Sequence, residues 1–438
     1  MPTSLPAHLL RAADRIAALF GVAQHLPTAE QLVAAARERA RLDDFGGVAV
    51  EEPLRALLAA FEAESELTLF GRIGARWDLL RYLTNLLILR ERETRQPAIL
   101  EQGIERPIFI TGLPRSGTTF LHRLLAQDPA NLVPRCWQTI YPYPGHPAVG
   151  RGTGRRRVER QFRAFARIVP ELRSLHPFDA DSPQECTEIT AHTFASRRFD
   201  ITHEIPSYRR WLAGVGHRDA YRFHRRFLQH LQHQAVRDGA AAQWVLKCPD
   251  HVFALDAIAE VYPDARIVFV HRDPLKVLAS SCRLTEVLRR PFSRRVDRLR
   301  LGRQIADDWA AAARELIRAH ERGHPFGPDR VLQVQYRALV SDPFGTVAGL
   351  YKQFGIPLGE AAASNMRRLI AEQPHGGYGR NSYRFADYGL DPEREARRFR
   401  DYVQHFQIEP ESGPATAPGA VLADRPAPRH AVRLSHGL

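Results

Sequence analysis

Lysine is nearly missing from this chain. Of its 62 basic residues only Lys247, Lys276 and Lys352 are lysines, and the rest are arginines. A net charge of +13 assembled in this way reads as a coding bias rather than as a basic surface shaped for one polyanion. That speaks against nucleic acid as the partner, and no zinc-ligand spacing, RNP motif or aromatic-interleaved basic stripe restores it. Cysteine is scarce too. Cys136, Cys186, Cys248 and Cys282 stand far apart with no C-x-x-C pair. Reduced thiols in a cytoplasmic protein are the simple expectation, with no metal site. No apolar run approaches the roughly 20 residues that span a bilayer. The opening MPTSLPAHLLRAADRIAALFGV carries arginine and aspartate throughout, has no uninterrupted apolar segment or small-residue cleavage site, and does not read as a secretory signal.

The stretch Pro107–Asp128, PIFITGLPRSGTTFLHRLLAQD, is where the chain becomes informative. A short apolar run, Ile108–Ile110, precedes a loop with Gly112 and Gly117. Apolar residues then recur at Phe120, Leu121, Leu124 and Leu125, a helical spacing. Strand, tight loop and helix place backbone N–H groups and a helix N-terminus around one point, which suits an anion. The spacing is close to the nucleotide P-loop G-x-x-x-x-G-K-[ST], but Thr118 stands where the lysine belongs. That lysine bridges the outer phosphates of a triphosphate, and the next hydroxyl holds Mg²⁺. Its loss disfavours a P-loop small-molecule kinase. A cation inside the loop, Arg115, with hydroxyls at Ser116, Thr118 and Thr119, still suits a 5′-phosphate that bears a transferable group.

The length of 438 residues allows a large core. Residues 1–95 read as a helical subdomain, with Thr28–Gln31 as a capping-box start and helices over Pro53–Leu67 and Thr68–Glu93. Tyr221–Val236 reads as a helix whose histidines face solvent, and Val296–Arg322 as a long amphipathic one. Short apolar strands at Trp244–Lys247, Arg266–Val270 and Val331–Val334 alternate with helices, so the expected core is α/β with a mainly parallel sheet and ligands at the strands' carboxyl ends. From residue 409 the tail lacks periodicity and is expected to be disordered. Within Arg266–Arg283, RIVFVHRDPLKVLASSCR, Arg272 ends a strand and Ser280 follows on the next helix. A guanidinium fork and a hydroxyl converging from those two elements make a phosphate clamp. Asp273 ahead of Pro274 is also a helix-capping signal.

PRSGTT at 114–119 and the later R-D-P…S pair resemble, in order, the 5′-phosphosulfate loop and the 3′-phosphate site of the sulfotransferases that use 3′-phosphoadenosine 5′-phosphosulfate (PAPS). The segments WVLKCPDHVFALDAI and VQYRALVSDP are similar to two further family segments, although Arg337 replaces a usual acid. The resemblance covers about residues 107–354 and is to the broad bacterial branch of the superfamily. It implies a P-loop-like three-layer α/β domain over 96–408, with helical extensions and insertions. It also implies PAPS as co-substrate without a metal, and sulfuryl transfer to a hydroxyl or amine of a small or lipid-like acceptor. Donor contacts would come from Arg115, Ser116, Gly117, Thr118, Thr119, Arg272 and Ser280. Arg380, in HGGYGRNS at 375–382, is a further candidate. Arg115 and Lys247 would stabilise charge at the transferred group. His251 is the preferred base from its ordinary pKa, with Glu185 as its rival. The acceptor and the oligomeric state stay open.

Overall fold

The structure, a computed structural model, describes residues 14, 25–150, 154–175, 179–235, 243–323, 325–373 and 384–411. Its centre is a five-stranded sheet in the order β2-β3-β1-β4-β5. The strands are β1 Ile108–Gly112, β2 Asn131–Leu132, β3 Gln243–Lys247, β4 Arg266–His271 and β5 Val331–Gln335. Every pairing is parallel. Ile110 lies beside Lys247 on one side and Val268 on the other. The carboxyl ends of β1, β3 and β4 therefore open at one edge, where an α/β sheet collects its ligands. Two-residue β2 is too short to carry any periodicity, and no sequence pattern marks it.

Both faces of the sheet are covered, which is why its strands are apolar throughout rather than alternating. Ile108, Ile110, Val245, Val268 and Val270 face the loop helix Thr118–Leu125 and the helices Pro343–Gln353 and Glu360–Glu372. Phe109, Trp244, Leu246, Ile267 and Phe269 face the other layer, in one apolar cluster with the helices of residues 29–95. This is an α/β three-layer arrangement. Its helices start where capping chemistry places them. The Thr28 hydroxyl accepts from Gln31 N at 3.3 Å while Gln31 Oε1 accepts from Thr28 N at 2.9 Å. Thr68 caps the helix Leu69–Arg95 through Gly71 N, and Asp273 caps Pro274–Arg289 through Leu275 N at 2.9 Å.

One expectation fails on the helix Arg218–Ala235. Its His224 and His230 do not face solvent; both are fully buried. His224 bonds the Tyr262 hydroxyl at 2.7 Å, and His230 lies between Glu93 (3.0 Å) and Tyr143 (2.8 Å). The helix is packed on more than one side, and partners distant in sequence satisfy rings that periodicity alone assigns to water. All four cysteines are buried and unpaired. Among the described residues no helix is long and apolar enough to cross a membrane.

Candidate active site

The loop after β1 owes its shape to two glycines and one strained arginine. Gly112 has φ +136°, and a Cβ there would stand 2.3 Å from the Val270 carbonyl oxygen of β4. Only glycine allows the two strands to run this close. Arg115 takes φ +61°, a left-handed conformation that costs an ordinary residue roughly 1–2 kcal/mol. Gly117, at φ +90°, starts the helix Thr118–Leu125, and no side chain caps it. The first N–H groups of that helix are thus left to whatever fills the loop. Ser116 is buried and donates to Leu113 O at 2.6 Å, so its hydroxyl braces the loop.

The arginine that follows β4 ties this loop to the second motif. Arg272 Nη1 donates to the Arg115 carbonyl at 2.5 Å, and the Arg115 Nε donates to Ser280 Oγ at 3.0 Å. The Arg272 guanidinium lies over the Tyr336 ring, 3.9 Å from its centre. Its outer edge holds a carboxylate in fork geometry, Nε to Glu411 Oε1 at 2.7 Å and Nη2 to Glu411 Oε2 at 2.9 Å. Asp273, besides capping its helix, accepts from Glu411 N at 2.9 Å. Arg337 bonds the carboxylate of Glu409 and, at 2.6 Å, the carbonyl of Pro410. Residues 409–411, expected to begin a disordered tail, are therefore anchored across the clamp. Residues 412–438 and Arg380 lie outside the described residues.

Lys247 ends β3 and is 1% exposed. Its Nζ donates to Thr119 Oγ1 at 3.2 Å and to Glu185 Oε1 at 2.5 Å. Glu185 precedes the short helix Cys186–Thr190, and its side chain is 26% exposed. That helix is fastened from below. Glu188 bonds Arg81 at 2.7 Å and Arg198 at 2.8 Å. Burial alone would raise its pKa, but the two guanidiniums bring it down to about 2. His251, by contrast, is wholly buried, bonded through Nδ1 to the Tyr221 hydroxyl and edge-on to Phe109 at 5.0 Å. Burial, with His224 and Lys247 nearby, holds it neutral far below its ordinary pKa.

Beside Lys247 and Glu185 opens a small recess whose lining includes Cys186, Thr190, Arg197, His217, Tyr221 and Asp250. Arg197 pairs with Asp250 and with Asp308, each at 3.3 Å. Burial lifts the Asp250 carboxyl to about 6 against the pull of Arg197. Burial, and then Arg197, lowers His217 to about 4. Asp250, Arg197, His217 and Tyr221 carry no site motif in the sequence. Asp250 lies inside the CPDH segment, a signal that points toward it; nothing in the sequence marks Arg197.

Residues 107–360 match the model of a family described as the sulfotransferase family. The chain is 25% identical over 288 residues, 63% of its own length and 69% of the relative's, to the omega-hydroxy-beta-dihydromenaquinone-9 sulfotransferase Stf3 of Mycobacterium bovis. It is similar in structure to the sulfotransferase STF1 of Mycobacterium tuberculosis, at 31% identity and a TM-score of 0.73, covering 86% of this chain and 99% of that one. For the sulfotransferase STF9 of Mycobacterium avium the values are 28%, 0.77, 87% and 97%. With more than half of the chain matched and the likeness to those two structures running over nearly their whole length, the chain belongs to the sulfotransferase family.

Proposed function

We propose that the chain moves the sulfuryl group of PAPS to a hydroxyl or amine of a lipid-like or other small acceptor and releases adenosine 3′,5′-bisphosphate. The observation that carries this reading is the Arg272 fork. It already grips a carboxylate with two N–H bonds while its third contact is the loop carbonyl of Arg115. A site so built suits a dianionic phosphate on the same nucleotide whose 5′ end fills the loop. The relative named for an omega-hydroxy menaquinone supports a lipid-like alcohol as acceptor, which mass spectrometry of lipid extracts incubated with enzyme and PAPS would identify.

When bound, the donor supplies an activated sulfuryl group on a good leaving group. The chain supplies placement, charge and a base. The loop N–H groups with Thr118 and Thr119 hold the 5′ end; Arg272 and Ser280 hold the 3′-phosphate. Lys247 and Arg115 meet the charge that grows on the leaving oxygen. We assign the base to Glu185 rather than His251. Glu185 is partly exposed beside Lys247, whereas His251 is sealed against Tyr221 and Phe109.

Adenosine 3′,5′-bisphosphate is expected to bind about ten- to a hundredfold more tightly than adenosine 5′-phosphate, the worth of one charge-assisted contact of roughly 1.5–3 kcal/mol. Calorimetry giving equal affinities for the two would remove Arg272 and Ser280 from the 3′-phosphate. Turnover is also expected to survive excess EDTA, because the loop carries Arg115 and lacks the Lys-Ser/Thr pair that organises Mg²⁺. Loss of activity with EDTA and recovery with Mg²⁺ would favour a kinase instead.

A further inference from the structure

The helix Gly154–Ile168 buries one side and leaves the other to exposed arginine. Val158, Phe162, Phe165 and Ile168 face inward, toward Ile88 at one end of the helix and toward Leu284, Val287 and Leu288 at the other. Arg156, Arg160, Arg163 and Arg167, spaced four, three and four residues apart, form a single outward stripe, and all four are exposed. Among the described residues none of the four is in an ion pair, whereas Arg155, at the edge of the stripe, is engaged by Asp181 at 2.5 Å. Acids are common in this chain, 49 against 62 bases, so an arginine bias does not by itself produce a stripe without counter-charges.

Apolar residues flank that stripe. Phe165 stacks on Phe292 with ring centres 5.9 Å apart, and Phe292 stacks on Phe70 at 5.5 Å. Phe70 belongs to the helix Leu69–Arg95, and one and two turns further along the same side stand Ile73 and Trp77. These two are among the most exposed large apolar residues described, at 58% and 38%. Arg76, also exposed, sits between them. Cationic ridge and apolar flank together have the composition of an interfacial helix surface. The patch adjoins the donor site: Leu284, under Ile168, is one helical turn from Ser280.

We propose that this face docks on an anionic lipid bilayer, with Arg156, Arg160, Arg163 and Arg167 against lipid phosphates and Ile73 and Trp77 entering the headgroup boundary. The pairing of charge that has no carboxylate partner among the described residues with exposed aliphatic and indole side chains selects a bilayer over a nucleic acid strand. A strand satisfies the arginines and offers Ile73 nothing. Docking here would bring the clamp of Arg272 and Ser280 close to the layer in which a lipid-like acceptor dissolves.

The test is co-sedimentation of the full chain with phosphatidylcholine vesicles, with and without phosphatidylglycerol, over a range of salt. Binding is expected only with phosphatidylglycerol and is expected to weaken as salt rises. Changing all four arginines to glutamine should reduce it more than a hundredfold, from about fivefold for each arginine near a charged surface. Ile73→Ser with Trp77→Ser should reduce it about tenfold or more. Thermal melting and adenosine 3′,5′-bisphosphate binding of each variant confirm that the fold is kept. Three outcomes overturn the proposal: equal binding to neutral vesicles, unchanged binding of the arginine variant, or binding that single-stranded RNA competes away while the Ile73 and Trp77 variant behaves as the parent. The last would mark a general polyanion site. Vesicle binding needs no donor, so its failure leaves the sulfuryl-transfer reading standing, and the reverse.

Discussion

Replacing Lys247 with alanine is expected to lower kcat a hundred- to a thousandfold, about 2.7–4 kcal/mol, with a smaller rise in KM for PAPS. The ammonium is buried at the strand end, within hydrogen-bond reach of Thr119 and Glu185. It is a preorganised charge in a poorly solvated place, and such a charge acts most on a transition state whose leaving oxygen is gaining negative charge. A group used only to hold the ground state would raise KM and leave kcat alone. Arg115→Ala should follow the same pattern. Glu185→Gln should lose turnover as severely while adenosine 3′,5′-bisphosphate binding persists, because the base meets the acceptor and not the nucleotide. His251→Ala is the informative contrast. If it abolishes turnover with the fold intact and Glu185→Gln stays active, the base is the histidine. If both variants stay active, proton removal passes through water or the acceptor itself.

Acidification is expected to destabilise the protein well above the pH at which its carboxylates protonate. Burial holds His122, His192, His203 and His224 neutral, with pKa values lowered to about 3. In the unfolded chain each returns to about 6.5. Between those values the unfolded state binds more protons, so the stability these rings contribute is complete above pH 6.5 and is lost as pH falls. At pH 5 each histidine costs about 2 kcal/mol, and the four together about 8. Asp250, lifted to about 6, works in the opposite direction by about 1.4 kcal/mol at that pH. Even halved for relaxation around the rings, the loss of about 3 kcal/mol is a large share of an ordinary 5–15 kcal/mol stability. Melting temperatures measured from pH 7.5 to 5 at constant ionic strength should fall steeply below pH 6.5. A flat profile would mean that the rings take up protons within the fold.

What the chain declares in its sequence is local. The loop at 112–117 is legible because a phosphate-sized turn needs glycines and hydroxyls at fixed offsets, all within one short stretch. The caps at Thr28 and Asp273 are legible for the same reason: each bond spans three residues or fewer. The α/β core is legible from its four longer strands. Contacts that join distant segments are not. Arg115 and Ser280 are each named from motifs, but their bond crosses 165 positions. His224 looks solvated until Tyr262 is placed over it. Asp250 and Arg197 acquire their meaning only when the recess closes around them. Choosing between Glu185 and His251 is of the same kind, because an ordinary pKa says nothing about which ring the fold will seal.

Under the proposed function, Glu411 makes the Arg272 clamp a place of exchange. Its carboxylate holds the same guanidinium edge of Arg272 that a 3′-phosphate would need, so nucleotide arrival at Arg272 and release of residues 409–411 would be two sides of one equilibrium. The affinity seen from solution is then the intrinsic affinity reduced by the fraction of molecules whose fork is open. Reciprocity adds the converse: each contact that fastens the segment down, such as Asp273 on Glu411 N and Arg337 on Glu409, weakens nucleotide binding by the factor with which it strengthens the segment. If the proposed bisphosphate leaves Arg272 after every turnover, the carboxylate tethered on that fork is a built-in displacer that never has to diffuse in.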